Sequence, residues 1–121
     1  GPWVEGNFTS LGGYALTHQL LDKGDFTALV CGNDESALGA LRALRERGLR
    51  VPDDISVVGF DDYYAVQFYN PPLTTMRQDY PALSRFGIEN LIARIEDPGK
   101  PGQHLVLQPQ LVVRESTRIL N

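Results

Sequence analysis

The sequence predicts an α/β fold built on a parallel β-sheet, and three observations carry the prediction. Two short apolar runs, Phe26-Thr27-Ala28-Leu29-Val30-Cys31 and Ile55-Ser56-Val57-Val58, have the length and continuity of strands buried on both faces. Between them, Ala37, Leu38, Ala40, Leu41 and Leu44 make one apolar stripe at helical spacing, with Arg42, Arg45, Glu46 and Arg47 opposite. A second helical pattern precedes the first run, so residues 9–62 read α, β, α, β. Strands separated by helices of this length pair in parallel through right-handed crossovers.

The 121 residues suffice for one small domain with a real core. A composition of 42% hydrophobic and 21% charged residues is that of an ordinary globular chain. A net charge of −4 repels phosphate backbones, which argues against nucleic-acid binding by this chain alone. No apolar run reaches the roughly 18 residues of a membrane span, no signal peptide is visible, and a cytoplasmic protein is expected. The single cysteine, Cys31, excludes an internal disulfide and any multi-cysteine metal site, and reads as a small buried hydrophobe. No cofactor or metal set stands out.

In chain order, residues 3–5 suggest a short strand ending at Gly6. Thr9 or Ser10 caps a helix that Gly24 stops, and Gly12-Gly13 near its start lets a neighbour pack close. The 26–31 strand turns out through Gly32-Asn33-Asp34-Glu35-Ser36. There Asn33 or Asp34 can cap the next helix, while Asp34 and Glu35 suit its positive first turn. Gly48 closes that helix, and Pro52 fixes a turn before the 55–58 strand, which is expected to break at Gly59. Four aromatics follow in residues 63–69, ended by Asn70-Pro71-Pro72. Residues 73–78 read as extended. Asp79 starts another helix running to about 96, with Leu83, Phe86, Ile88, Leu91, Ile92 and Ile95 as apolar positions. After a Pro/Gly-rich loop, residues 105–107 and 111–113 are strand-like, with Pro109 marking a bend or an edge between them.

The chain is organised around Ile55-Ser56-Val57-Val58-Gly59-Phe60-Asp61-Asp62. In open α/β sheets ligands sit outside the carboxyl ends of the strands, so acids placed there are functional candidates. The competing reading is that Asp61 simply caps the following helix.

Four blocks together resemble the lactose/galactose-repressor family of bacterial transcription regulators. They are Val30-Cys31-Gly32-Asn33-Asp34 through Leu44, Gly48-Leu49-Arg50-Val51-Pro52-Asp53-Asp54 through Asp62, Pro72-Leu73-Thr74-Thr75, and Leu111-Val112-Val113-Arg114-Glu115-Ser116-Thr117. The resemblance implies a Rossmann-like lobe of a type I periplasmic-binding-protein-like fold, as a fragment of a two-lobed effector-binding core. It implies residues 1–78 in the C-terminal lobe, 79–109 as a helix and strand that normally pack in the N-terminal lobe, and 110–121 as the returning strand and tail. It also implies a small-molecule effector (a sugar or nucleoside-like metabolite), a homodimer, and operator DNA reached only through a helix-turn-helix that this sequence lacks.

By position, the resemblance assigns three ligand contacts. Phe8 is the aromatic that stacks on the ligand ring, Asn33 a hydrogen-bonding amide, and Asp61 a carboxylate that accepts from hydroxyls or a base edge. Sugars offer apolar C–H faces and hydroxyls that suit such groups. Phe8 as a core residue and Asn33 as a helix cap are the competing structural roles. The resemblance further places Leu38, Arg42, Tyr64, Phe68 and Tyr69 at the subunit interface, where aromatics are enriched, against the alternative that the rings cover their own core.

Enzymatic readings are weaker. Asp61 and Asp62 with Thr74 and Thr75 faintly suggest a phosphoacceptor site, but Lys23 and Lys100 are the only lysines and neither falls beside it. His18 and His104 have no evident nucleophile, and the 32–35 turn lacks the glycines of a dinucleotide site. No catalytic residue is assigned. A solute-binding protein of the same fold, used in transport or chemosensing, is the alternative to a regulator. Finally, the apolar positions of the 79–96 helix need a cover, so the chain is expected either to self-associate or to fold that helix onto its own sheet.

Overall fold

A computed structural model describes residues 1–119. The elements are α1 (Ser10–Lys23), β1 (Ala28–Val30), α2 (Asp34–Glu46), β2 (Ser56–Asp61), a 3-10 turn (Tyr64–Phe68), β3 (Thr74–Arg77), α3 (Tyr80–Glu96) and β4 (Gln110–Val112). The strands form one sheet in the order β1-β2-β3-β4, with β1/β2 and β2/β3 parallel. Register sets Leu29 beside Val57 and Asp61 beside Arg77, so the carboxyl ends of the parallel strands share one edge. The chain divides into two compact units. One holds Gly1–Arg77 and the C-terminal stretch from Leu111; the other holds Gln78–Gln110.

In the first unit, the stripe on α2 meets β2. Ala37, Leu41, Leu44, Ile55, Val57, Val66 and Leu73 form the buried core. Both helices begin on polar caps: the Thr9 hydroxyl accepts from Gly12 N at 3.0 Å, and Asn33 Oδ1 accepts from Ser36 N at 2.9 Å. Glycine lets the two helices touch. A Cβ on Gly13 would run into the Ser36 backbone, and one on Gly39 into the Ser10 carbonyl and Tyr14 amide. Outside this contact, Glu46 accepts from Tyr14 Oη at 2.5 Å and Arg42 Nε at 2.9 Å. The glycine contacts hold the start of α1 beside the first half of α2, and the Tyr14 bond ties α1 to the last residue of α2.

Two of the motif blocks serve this framework. Arg50 grips Asp54 through its own amide (2.8 Å) and both sides of its guanidinium (3.0 and 2.9 Å), closing the turn into β2. That side-chain grip holds the Asp54 carboxyl down at about 2. In the returning segment the buried Ser116 hydroxyl accepts from Thr74 N (2.7 Å) and donates to Val57 O (2.6 Å), while Ser116 O accepts from Val57 N (2.8 Å).

Four local expectations are corrected. β1 is not buried on both faces: it is an edge strand whose Ala28 and Val30 are exposed, Val30 to 79%. Residues 3–5 and 105–107 form no strand, since neither run finds a ladder partner. β2 does not break at Gly59 but runs through to Asp61. Glycine is there for space: a Cβ would strike the Asp34 carboxylate and Leu73.

In the second unit, Asp79 caps α3 by accepting from Ala82 N at 3.0 Å, with Pro81 in the first turn. No residue of α3 is buried, and Ile88, Leu91, Ile92 and Ile95 are each at least 49% exposed. Such a contiguous apolar face drives association. In a light-scattering concentration series we expect the mean mass to climb above the 13.4 kDa of one chain. Leu91→Glu with Ile95→Glu should hold it lower at every concentration; an unchanged curve would show that this face stays wet.

Asp34, at the head of α2, is fully buried. Its Oδ1 accepts from Thr75 Oγ1 at 2.5 Å and its Oδ2 from Tyr63 N at 3.2 Å. Asp34→Ala leaves both donors buried without a partner, a loss of about 1–3 kcal/mol. Asp34→Asn should cost less, because its oxygen can take the amide and the Thr75 hydroxyl can turn to accept from its nitrogen. Burial outweighs these hydrogen bonds and raises the Asp34 carboxyl above its ordinary value. The folded state therefore holds this proton to higher pH than the unfolded state, and the wild-type stability due to Asp34 falls as pH rises from the unfolded value of about 3.9. The side-chain amide of the Asp34→Asn variant has no such proton to lose. Thermal melts should thus show the gap between wild type and Asp34→Asn shifting in the variant's favour as pH rises from acid toward neutral.

Candidate functional site

The common carboxyl edge of β1, β2 and β3 is where an open parallel sheet takes ligands. Asn33 lies three residues past β1, and Asp61 is the last residue of β2. Phe8 reaches the same end of the sheet through Asn33, whose Nδ2 donates to Phe8 O at 2.9 Å. The Phe8 ring stands over Gly32, where a Cβ would press on the ring edge at 3.0 Å.

Phe8 is not a core residue: it is 63% exposed, with a left-handed backbone of φ 60°. Asn33 does cap α2. Its Oδ1 is filled by Ser36 N and by Ser36 Oγ at 2.6 Å, and one Nδ2 hydrogen is used on Phe8. What Asn33 can offer outward is its remaining N–H. Asp61 is not the residue at the cap of the following 3-10 turn, Tyr64–Phe68: that position is Tyr63, whose side chain makes no cap hydrogen bond.

The turn that carries Asp61 is strained. Asp61 has φ 113° and Asp62 φ 58°, two consecutive non-glycine residues in the left-handed region. Each such residue costs on the order of 1–3 kcal/mol and persists only where its surroundings over-determine it. Asp34 supplies part of that, accepting from the amides of both Asp62 and Tyr63. Its place on Thr75 and against Gly59 fixes this turn relative to β2 and β3. The negative charge of Asp61 reaches Asp34, adding to the upward shift of its carboxyl.

Asp62 supplies the rest. Its carboxylate is 4% exposed, and each oxygen takes a guanidinium: Arg77 Nε at 2.5 Å and Arg114 Nη2 at 2.6 Å. Burial works against its ionisation, but the two arginines outweigh that and hold the carboxyl below its ordinary value. Arg77 and Arg114 are not among the sequence candidates; Asp34 enters there only as a helix-start acid, and Asp62 and Thr75 only through the weak phosphoacceptor reading.

Among the cavities of the described residues, two bear on the sequence candidates. One of 320 Å³ opens along the outer edge of β1 between Val4, Leu16 and Val30, with Phe8 in its wall and neither Asn33 nor Asp61 in its lining. Cys31, half-buried, also lines it, and burial pushes its thiol up to about 12. The other, 590 Å³, is a depression on the α1/α2 face lined by Leu11, Tyr14, Leu38, Arg42 and Asn70. On the 3-10 turn, Tyr64 and Phe68 are largely exposed and meet edge to face at 5.5 Å. Tyr69 is different: half-buried against the core, its hydroxyl hydrogen-bonds that of Tyr63, and burial raises its pKa. Among the described residues no three His, Cys, Asp or Glu side chains gather as metal ligands, and no helix is long and apolar enough to cross a membrane.

Residues 2–117 match the periplasmic binding protein-like domain family. Among curated relatives, the chain is 43% identical over 127 residues to the HTH-type transcriptional repressor PurR of Glaesserella parasuis, covering 98% of this chain and 37% of that protein. Among solved structures, it superposes with TM-score 0.90 and 34% identity on a LacI family transcriptional regulator from Enterococcus faecalis with bound ribose, covering 98% of this chain and 44% of that one. It superposes with TM-score 0.84 and 41% identity on the Lac repressor dimer bound to operator and the anti-inducer ONPF, covering 93% and 40%. The chain thus spans well under half of the proteins it matches. On the family match and on these structures, the chain belongs to the periplasmic binding protein-like domain family, in the form that lactose/galactose-type repressors carry as their core.

Proposed function

We propose that this chain is the effector-sensing and dimerisation region of a bacterial DNA-binding transcription regulator and catalyses no reaction. The observation that carries the reading is the pairing, at one sheet edge, of an exposed aromatic ring held over Gly32 with a carboxylate on a braced, strained turn. The effector is a sugar or nucleoside-like metabolite. Phe8 packs on its apolar face, Asn33 donates its free N–H, and Asp61 accepts from its hydroxyls. The ribose-bound relative supports this class of ligand, and the operator-bound Lac repressor dimer supports a regulator over a transport protein.

Residues 1–78 then act as the C-terminal lobe, 79–109 as a helix and strand of the N-terminal lobe, and 110–121 as the return and tail. Leu38, Arg42, Tyr64, Phe68 and Tyr69 form the face that pairs two copies, Tyr69 being its half-buried member. Operator DNA is contacted through a helix-turn-helix outside these residues, in the cytoplasm. Effector binding shifts the population between lobe arrangements that differ in operator affinity.

Calorimetric titration with D-ribose, cellobiose and inosine tests the ligand site. We expect one class to bind. Asp61→Asn removes charge-assisted hydrogen bonds and should weaken binding about 10- to 100-fold, while Phe8→Ala removes a stacking face and should weaken it about 2- to 10-fold. Failure of all three probes, or unchanged affinity in both variants, would overturn the assignment. For the pairing face, Leu38→Glu with Tyr64→Ala should lower the associated fraction in sedimentation without lowering the melting temperature, since both side chains are already exposed. If the associated fraction does not move, the pairing surface lies elsewhere.

A further inference from the structure

The strained turn after β2 is tied to two places the ligand does not need. The chain leaves the first unit after Arg77 and returns to it at Leu111. Asp62 holds the last residue before that exit and a residue just after the return, one on each carboxylate oxygen. Arg114 is itself built in: its Nη1 donates to Leu73 O at 2.8 Å and its amide to Thr74 Oγ1 at 2.9 Å, and the next amide, of Glu115, donates to Pro72 O at 3.0 Å. Asp62 is therefore shared between both crossing segments, and it is the neighbour of the proposed ligand carboxylate.

We propose that Asp62 is a positioning residue that locks the Asp61 turn to both crossing segments, so that the turn, the exit and the return open as one unit. The inference rests on reading Asp61 as a ligand group and adds a second role to the same turn. Two adjacent acids divide the work: Asp61 faces the ligand, and Asp62 fixes where Asp61 points by fastening the backbone behind it. The left-handed conformation of both residues is what lets neighbours in sequence serve two different partners. A turn free to relax its two positive φ values would not hold the Asp61 carboxylate in one place. Because the fastening runs to the exit and the return, any constraint on the turn is also a constraint on them.

Hydrogen exchange on the 121-residue chain tests this as a mutant cycle. Arg77→Gln and Arg114→Gln should each speed exchange in residues 60–64 and in the crossing segment that the substituted residue does not occupy. The expected change is about tenfold, against little change in α2. Arg77→Lys should restore most of the protection lost in Arg77→Gln. In an Asp62→Asn background neither arginine substitution should add anything further at residues 60–64; the Arg114 bond to Leu73 O is independent of Asp62 and is read only at residues 73–75. If each substitution loosens only its own segment, or if the effects add in full when Asp62 is absent, the clamp is two independent ion pairs and the proposal fails. Should Asp62→Asn not fold, non-additivity of Arg77→Gln and Arg114→Gln at residues 60–64 decides alone. The cycle uses no ligand, so its failure is separate from failure of the titrations above.

Discussion

The sheet edge depends on one buried carboxylate. Asp34 starts α2, yet it faces inward rather than out over the helix end, and it is completely covered. From there it reaches Thr75 on β3, the amides of the turn after β2, and the space over Gly59 that any other residue would fill. A carboxylate in that setting pays desolvation, visible in its raised pKa, and keeps its place because the oxygens it turns inward have donors. Remove it and the turn after β2 loses its tie to β3. That is why Gly59, which looks locally like a strand breaker, belongs inside the strand.

The periodic part of the fold is legible in the sequence. The stripe on α2, a cap at Asn33 or Asp34, a cap of α1 at Thr9 or Ser10 and the parallel order of β1 and β2 all follow from signals within a few residues of each other, the structure choosing Asn33 and Thr9. The site is legible only in part. Phe8, Asn33 and Asp61 emerge through family resemblance and through their place at strand ends. The supports behind them join residues 41 and 52 positions apart, Thr75 with Asp34 and Arg114 with Asp62. No local pattern encodes such pairs. In the sequence Asp34 reads as an acid suited to a helix dipole, which is true of its position and silent about its burial. Residues 3–5 and 105–107 fail as strands for a related reason: a strand is defined by its partner, and strand-like composition does not supply one.

Asn33 shows how far a structural role narrows a functional one. Capping α2 uses both lone pairs of its oxygen, and holding Phe8 uses one of its two hydrogens. The same side chain therefore fixes the helix start, positions the aromatic, and retains a single donor for a ligand. This fits with Asp61, whose carboxylate accepts, on the neighbouring strand end. Donor and acceptor on adjacent strand ends, with an apolar ring alongside, suit a ligand that has both hydroxyls and a C–H face.

Adjacent aspartates with opposite surroundings give this edge its character. Asp62 is buried and neutralised by two guanidiniums, so its charge serves the structure. Asp61 carries the same chemistry one residue earlier, at a backbone angle that a β-strand would not supply. Had the chain stayed extended through both residues, their side chains would point to opposite faces of the sheet, one of them into the packed layer over α2. The left-handed turn avoids that, at an energetic cost which Asp34, Arg77 and Arg114 together offset. The strain thus goes with placing a candidate ligand acid and a structural acid side by side. The number of side chains holding that one turn is large because the turn has no regular hydrogen-bonding pattern of its own to rely on.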